Sequence, residues 1–353
     1  MAETDPLMKT SPLLFLLSTF YFLIPPSAFP QGSLTAPGAP APTMKTLDQV
    51  EARTPIDPAR PETYTITQAG SYYLTGNINI TGNNNGIVIT ADNVTFDLNG
   101  FTISATAPSN GDGIVLAGTG TRSNIHILNG HIRGQVTFAG GVFSGAGFYH
   151  GISYATTFYN VRVSDITVSR CLGNGIDLYS SSPASTVVES CTVNTVGGFG
   201  ITADNVSHCV ADVIGFDAIT GRVVSNCTAH GTAGSRGIVA NTASNCEASS
   251  VSGQGIYATN ASNCYGMSSS SQGIYAETAS NCYGFSTSNR GVFANVAISC
   301  SGHTSGGSYG VFATSVANTC YGESASGTGL NAFIAIGCTG SSVAYTYHYN
   351  MPP

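Results

Sequence analysis

Apolar and polar residues alternate in short runs along most of the chain, and the runs recur. In residues 255–272, GIYATNASNCYGMSSSSQ, Ile256 and Ala258 alternate with Tyr257, which is the period of a strand. Ala261, Cys264 and Gly266 form the next inward set, and the serine-rich stretch from Ser268 to Gln272 reads as a turn. The same pattern returns around Cys171, Cys191, Cys209, Cys227, Cys246, Cys264, Cys282, Cys300, Cys320 and Cys338, spaced 18 to 20 residues apart. Three positions before each cysteine stands Val168, Val188, Val206 or Val224, and then Ala243, Ala261, Ala279, Ala297, Ala317 or Ala335. Nine positions before most of them a glycine precedes an aliphatic residue, as in Gly255-Ile256, Gly273-Ile274 and Gly291-Val292. A fixed period of this length predicts a solenoid in which each coil stacks on the last and equivalent residues form columns.

Earlier coils are longer and bulkier inside. Residues 85–103 and 113–132 carry the same glycine-aliphatic start, and residues 178–186 insert a serine-rich loop. The markers give roughly twelve coils, of about 18 residues each toward the C-terminus. Residues 64–80 read as a cap over the first coil and residues 341–353 as a tail at the other end.

One position before the cysteine, Asn226, Asn245, Asn263 and Asn281 form a second column, read as a ladder of amides that satisfies turn groups away from water. The glycine-aliphatic strand starts, this asparagine column and the phrase DNVTFDLNGFTI at residues 92–103 resemble the right-handed parallel β-helix proteins of the pectate-lyase-like superfamily. The resemblance spans residues 64–340. It implies an all-β, right-handed parallel β-helix, with polysaccharide lyases, glycoside hydrolases and epimerases among the activities. Left-handed hexapeptide helices also use 18 residues per coil, but the six-residue aliphatic repeat they need is missing.

At the N-terminus, Lys9 and the apolar run from Leu13 to Ile24 read as a signal peptide over residues 1–31. Residues 32–63 follow as a Pro/Ala-rich linker with a short helix near residues 44–53. The expected location is therefore secreted, periplasmic or cell-surface, with no transmembrane span in the mature chain. Only 8% of residues are charged and the net charge is −7, which argues against nucleic acid as a partner. An extracellular polysaccharide or a cell-surface component is the expected partner.

Three readings of the cysteines remain open: a stack of buried thiols, axial disulfides, or a metal or redox array. Paired short spacings such as C-x2-C are absent, so no metal site is expected. Catalysis needs convergent carboxylates. Beyond Arg222 there is no aspartate, and Glu247, Glu277 and Glu323 are the remaining acids. The catalytic candidates are therefore Asp177 and Asp204, in the middle coils. No cofactor is expected, except Ca²⁺ under the lyase alternative. The stronger surface signal is aromatic. Tyr257, Tyr275, Phe293 and Phe312 follow the strand-start aliphatic residue, and Tyr265, Tyr283 and Tyr321 follow the cysteine. Both sets point outward by alternation, either as a ligand surface or as stacking that stabilises the sheet. The function expected is a surface, adhesive or carbohydrate-binding role, with a polysaccharide lyase or glycoside hydrolase as the alternative.

Overall fold

The structure is a computed structural model that describes residues 52–59, 63–107, 111–179, 185–232 and 235–349. The expected export segment, and the linker and helix through residue 51, lie outside these residues. Contacts divide the chain into Met1–Val50 and Glu51–Pro353, and the second unit is the solenoid.

Strands buried on one side only must alternate, and strands stacked in parallel must repeat that alternation at the same place in every coil. The chain does both. Among the described residues 31 strands join one sheet system through parallel pairings, and the hairpin of Thr137–Ala139 with Val142–Ser144 is antiparallel. One aliphatic column runs through Ile87, Ile114, Ile152, Ile176, Ile201, Ile219, Ile238, Ile256, Ile274, Val292, Val311 and Leu330. All twelve are fully buried.

A second inward column, carried in the regular coils by the same strands, changes size along the axis. Phe96, Ile127, Val163, Val188, Val206 and Val224 give way to Ala243, Ala261, Ala279, Ala297, Ala317 and Ala335 in a single register. In the later coils this column is therefore narrow, while the Ile256 column beside it stays bulky. A methyl group added at Gly284 would lie 2.1 Å from the Gly291 carbonyl oxygen, which no rearrangement of a flexible side chain can relieve.

The corner before each cysteine explains the asparagine column differently from the expectation. Asn226, Asn245, Asn263 and Asn281 have φ between 52° and 54°, and the same corner is held by Ser190, His208, Ser299, Thr319 and Gly337 at 51° to 58°. These residues are left-handed because the chain turns sharply there, and asparagine tolerates that conformation at little cost. The asparagines are exposed rather than buried. One amide bond links the column, from Asn263 Nδ2 to Asn245 Oδ1 at 3.2 Å. Asparagine amides do stack further up the chain, where Asn124 donates to Asn93 at 2.8 Å and Asn160 to Asn124 at 2.7 Å.

The buried polar ladder lies instead four residues after the cysteine. Ser250, Ser268, Ser286, Thr304 and Ser324 are buried hydroxyls. Ser286 Oγ donates to the Ser271 carbonyl at 2.6 Å and accepts from Asn289 N–H at 2.9 Å. Ser268 repeats the pair with Gly253 and Ser271, and Ser324 with Gly307 and Gly327. Ser268, Ser286 and Ser324 thus tie their own turns to the turn below, meeting the backbone groups the turn leaves unpaired.

Three further expectations change. Cys171 stands outside the cysteine column: Thr167–Ser169 pairs with Thr192–Asn194, which places Ile166 opposite Cys191 and Cys171 opposite Val196. The pairing there advances by 25 residues, from Thr167 to Thr192, so a sequence spacing of 20 imitates the repeat without preserving register. Residues 64–80 form strands rather than a cap, since Tyr64–Ile66, Gly70–Leu74 and Ile78–Ile80 each pair with the next coil. Parallel pairing already begins at Thr54–Ile56 against Tyr72–Leu74. At the other end Val343–Tyr349 adds a further parallel strand to Thr328–Ile336, so Tyr345, Tyr347 and Tyr349 extend the sheet rather than forming a separate tail.

Val213 carries a β-branched side chain at φ 56°, a conformation such residues rarely hold. Val213→Asn should therefore raise stability by about 1 kcal/mol, and Asn263→Val should lower it by about 1–2 kcal/mol, read as opposite shifts of the urea midpoint at unchanged slope.

Candidate functional site

In-register stacking turns each outward sequence position into a row on the surface. The seven aromatic candidates fall on two separate rows. In the first, ring centroids are 5.1 Å apart for Tyr257–Tyr275, 4.8 Å for Tyr275–Phe293 and 5.5 Å for Phe293–Phe312, with planes within 22° of parallel. Guanidinium groups complete this row. Arg236 lies 5.4 Å from the Tyr257 ring, and Arg290 lies 4.9 Å from Phe293 and 4.8 Å from Phe312. The ring faces are therefore spent on one another and on cations, leaving edges toward solvent.

In the second row the register is Glu247, Tyr265, Tyr283, Ser301, Tyr321. Tyr265 and Tyr283 stack at 5.1 Å and 4°, whereas Ser301 separates Tyr283 from Tyr321. Between this row and the left-handed corner runs a groove of about 810 Å³. Asn226, Asn245, Asn263, Asn281 and Ser299 form one side, and Thr228, Glu247, Tyr265, Tyr283 and Ser301 the other. The buried Cys227, Cys246, Cys264 and Cys282 supply its apolar floor. Glu247 is the one carboxylate in the lining, and neither lysine nor arginine joins it. The asparagines and post-cysteine residues were visible as columns in the sequence, but nothing there showed that they border one groove.

The middle coils bring the two aspartates to neighbouring strands and hold each in place. Asp177 accepts from Asn174 Nδ2 at 2.6 Å, Thr202 Oγ1 at 2.7 Å and the Tyr179 N–H at 3.2 Å. Asp204, 8% exposed, accepts from Arg222 Nε at 2.7 Å and from the Thr186 N–H at 3.2 Å. Asp177 also belongs to a web that sequence reasoning missed, in which Asp112 bonds Ser153 and the His150 N–H, and His150 Nδ1 accepts from the Asn174 N–H at 2.8 Å. A cleft of about 290 Å³ joins Asp204 and Arg222 to Tyr179 and Tyr257. Among the described residues no cluster of three or more His, Cys, Asp or Glu side chains could hold a metal ion.

All ten cysteines are buried and free. Burial, and then the Asp112 carboxylate, push the Cys171 thiol up to about 12. Hydrogen bonding to the Cys191 thiol, with burial adding to it, raises Cys209 to about 12, and the Cys209 thiol does the same to Cys227. Cys171, Cys209 and Cys227, held protonated and away from water, fill space and do not act as nucleophiles, whereas Cys264 and Cys320 are pushed down by the hydrogen bonds they accept from neighbouring thiols.

No protein-family model matches the chain, and no curated protein matches it. Among solved structures it is similar to the A-module of the Azotobacter vinelandii mannuronan C-5 epimerase AlgE4, at 13% identity and a TM-score of 0.45, over 80% of this chain and 89% of that one. It is also similar to the Agl-KA catalytic domain, at 12% identity and a TM-score of 0.44, over 80% of this chain and 63% of that one. ORF18 of Geobacillus virus E2 is similar at 11% identity and a TM-score of 0.28, over 80% and 52%. Likenesses this distant leave the site to be read from its own geometry. No helix among the described residues is long and apolar enough to cross a membrane.

Native protein at pH 8 should give fewer than one thiol equivalent with Ellman's reagent and all ten in denaturant; a lower denatured count would mean that axial disulfides form. Asp204→Asn leaves Arg222 without its carboxylate, although that guanidinium is part-exposed, and should cost about 1–2 kcal/mol by chemical denaturation.

Proposed function

We propose that the protein is an exported, non-catalytic β-helix that binds an extracellular polysaccharide along the corner groove. The observation that carries this reading is the groove itself, which spans five coils and presents an asparagine amide at four of its corners and a hydroxyl at four of the facing positions. A step of about 4.8 Å between coils offers a linear polymer the same partners again and again. The volume falls within the range of about 300–1,000 Å³ typical of ligand sites. With Glu247 in the lining, no cation beside it and a net charge of −7, the groove suits neutral sugars better than uronates.

The wider reading goes with this. The coils wind right-handed, as parallel crossover connections favour, and number roughly twelve. Residues 1–31 act as the export signal and the segment from residue 32 up to the first strand at Thr54 as a linker, placing the mature protein in the periplasm, at the cell surface or outside the cell. The aromatic row of Tyr257, Tyr275, Phe293 and Phe312 serves mainly to brace the sheet, since its ring faces are already occupied. The cleft uniting Asp204 and Arg222 with Tyr179 and Tyr257 favours a second reading, a polysaccharide lyase or glycoside hydrolase with Asp177 and Asp204 as its acids, although the residues there do not fit the Ca²⁺ a lyase would use.

Affinity electrophoresis against neutral and uronate polymers tests both. The binding reading expects retardation by a neutral polymer, weakened about tenfold in an Asn245→Ala/Asn263→Ala variant, with no release of reducing ends or unsaturated products. Turnover on any polymer that is lost in Asp177→Asn would replace it with the enzymatic reading.

A further inference from the structure

The row of residues after the cysteines is periodic, and one ring is missing from it. Tyr265 and Tyr283 stand parallel at one-coil spacing, and so do Phe285 and His303 two positions along, at 5.4 Å and 8°. Side chains on this face therefore project as parallel plates. The next place in the row is Ser301, and the place after it is Tyr321. Two coil steps separate Tyr283 and Tyr321 by about 9.6 Å.

A flat six-membered ring centred between them would lie about 4.8 Å from each, within the 4.5–7 Å over which rings pair favourably. Both walls are open to solvent, with Tyr283 37% and Tyr321 45% exposed. Among the described residues no ring or guanidinium stacks on Tyr321 or on the Ser301 side of Tyr283, in contrast to the first aromatic row. The far wall is tethered along its own strand and to the strand that carries Ser301. Tyr321 OH donates to Glu323 Oε2 at 3.5 Å, and that oxygen lies 3.3 Å from His303 Nδ1. The Glu323 carboxylate also helps, after burial and Tyr265, to raise the Tyr283 hydroxyl above its ordinary range, so the two walls share one carboxylate's field. Ser301 belongs to the groove lining, so the groove runs into the mouth of this gap.

We infer that Tyr283 and Tyr321 are the walls, and Ser301 the floor, of a slot that takes one pyranose ring of a neutral polysaccharide. The inference rests on the groove-binding reading and adds to it the point at which the polymer is gripped. Apolar C–H faces of the sugar meet the two rings, while its ring-edge hydroxyls reach Ser301 and solvent. Glu323 beside the slot disfavours a uronate there, since like charges would be brought together with neither lysine nor arginine in the groove lining to offset them.

The test uses the full chain and four neutral hexasaccharides, cellohexaose, xylohexaose, mannohexaose and laminarihexaose, titrated by calorimetry. Tyrosine emission serves as a second readout, as the chain has no tryptophan. Ser301→Tyr completes the stack and closes the slot, and Tyr321→Ala removes a wall that lies outside the groove lining. The slot predicts that each weakens the binding of at least one hexasaccharide about tenfold, while Ser301→Tyr keeps or raises the melting midpoint, showing that the fold is intact. Unchanged affinity in both variants, with binding still weakened about tenfold in Asn245→Ala/Asn263→Ala, would overturn the slot and leave the groove standing. Failure of the parent protein to bind any of the four would overturn both.

Discussion

Backbone hydrogen bonding between coils, residue for residue and in parallel, is the constraint from which the rest of the molecule follows. Ile256 sits over Ile238 and under Ile274, and every neighbour in the coil keeps the same alignment. A residue type that suits its place once must suit it in each successive coil, because the surroundings repeat. Columns of aliphatic residues, alanines, cysteines, hydroxyls and left-handed corners are the outcome. The groove is one more consequence, since a concave corner in one coil becomes a channel when copied along the axis.

The same constraint sorts stabilising from binding roles. Rings in adjacent coils are brought to about 5 Å whether or not a ligand exists, so an unbroken aromatic row satisfies itself. Recognition becomes physically available where the period fails. Ser301 breaks the second row, and exposed amides at the corner replace ring faces. In the middle coils the longer turns break the repeat in another way, gathering Asp112, His150, Asn174 and Asp177 into a hydrogen-bonded web. There the carboxylates serve neighbouring turns, as expected where backbone groups would otherwise go unpaired.

The cysteines illustrate how little a regular spacing says by itself about chemistry. Nine share a column from Cys191 to Cys338, small and apolar enough for a narrow core and soft enough to pack against one another. Cys171 matches them in sequence spacing and differs in place, because the pairing there advances by 25 residues, from Thr167 to Thr192, without changing the count that the eye follows.

By itself, the sequence determined the parallel solenoid, the strand faces and the inward columns, because these depend on local alternation and on a period, and both are written along the chain. Tyr257, Tyr265 and their successors were legible as outward for the same reason, and Ser250 through Ser324 could have been found four places after each cysteine. What only the tertiary structure decided depends on the lateral meeting of columns and on backbone torsion. The asparagines proved to be left-handed corners, residues 64–80 proved to be strands, and the ring faces of Tyr275 and Phe293 proved to be occupied. The groove wall shared by Asn263 and Tyr265, and the pairing of Asp204 with Arg222, required knowing how sharply each coil turns and which coil lies above it. A one-dimensional pattern carries periodicity, whereas curvature and distance between rows arise only when the coils close.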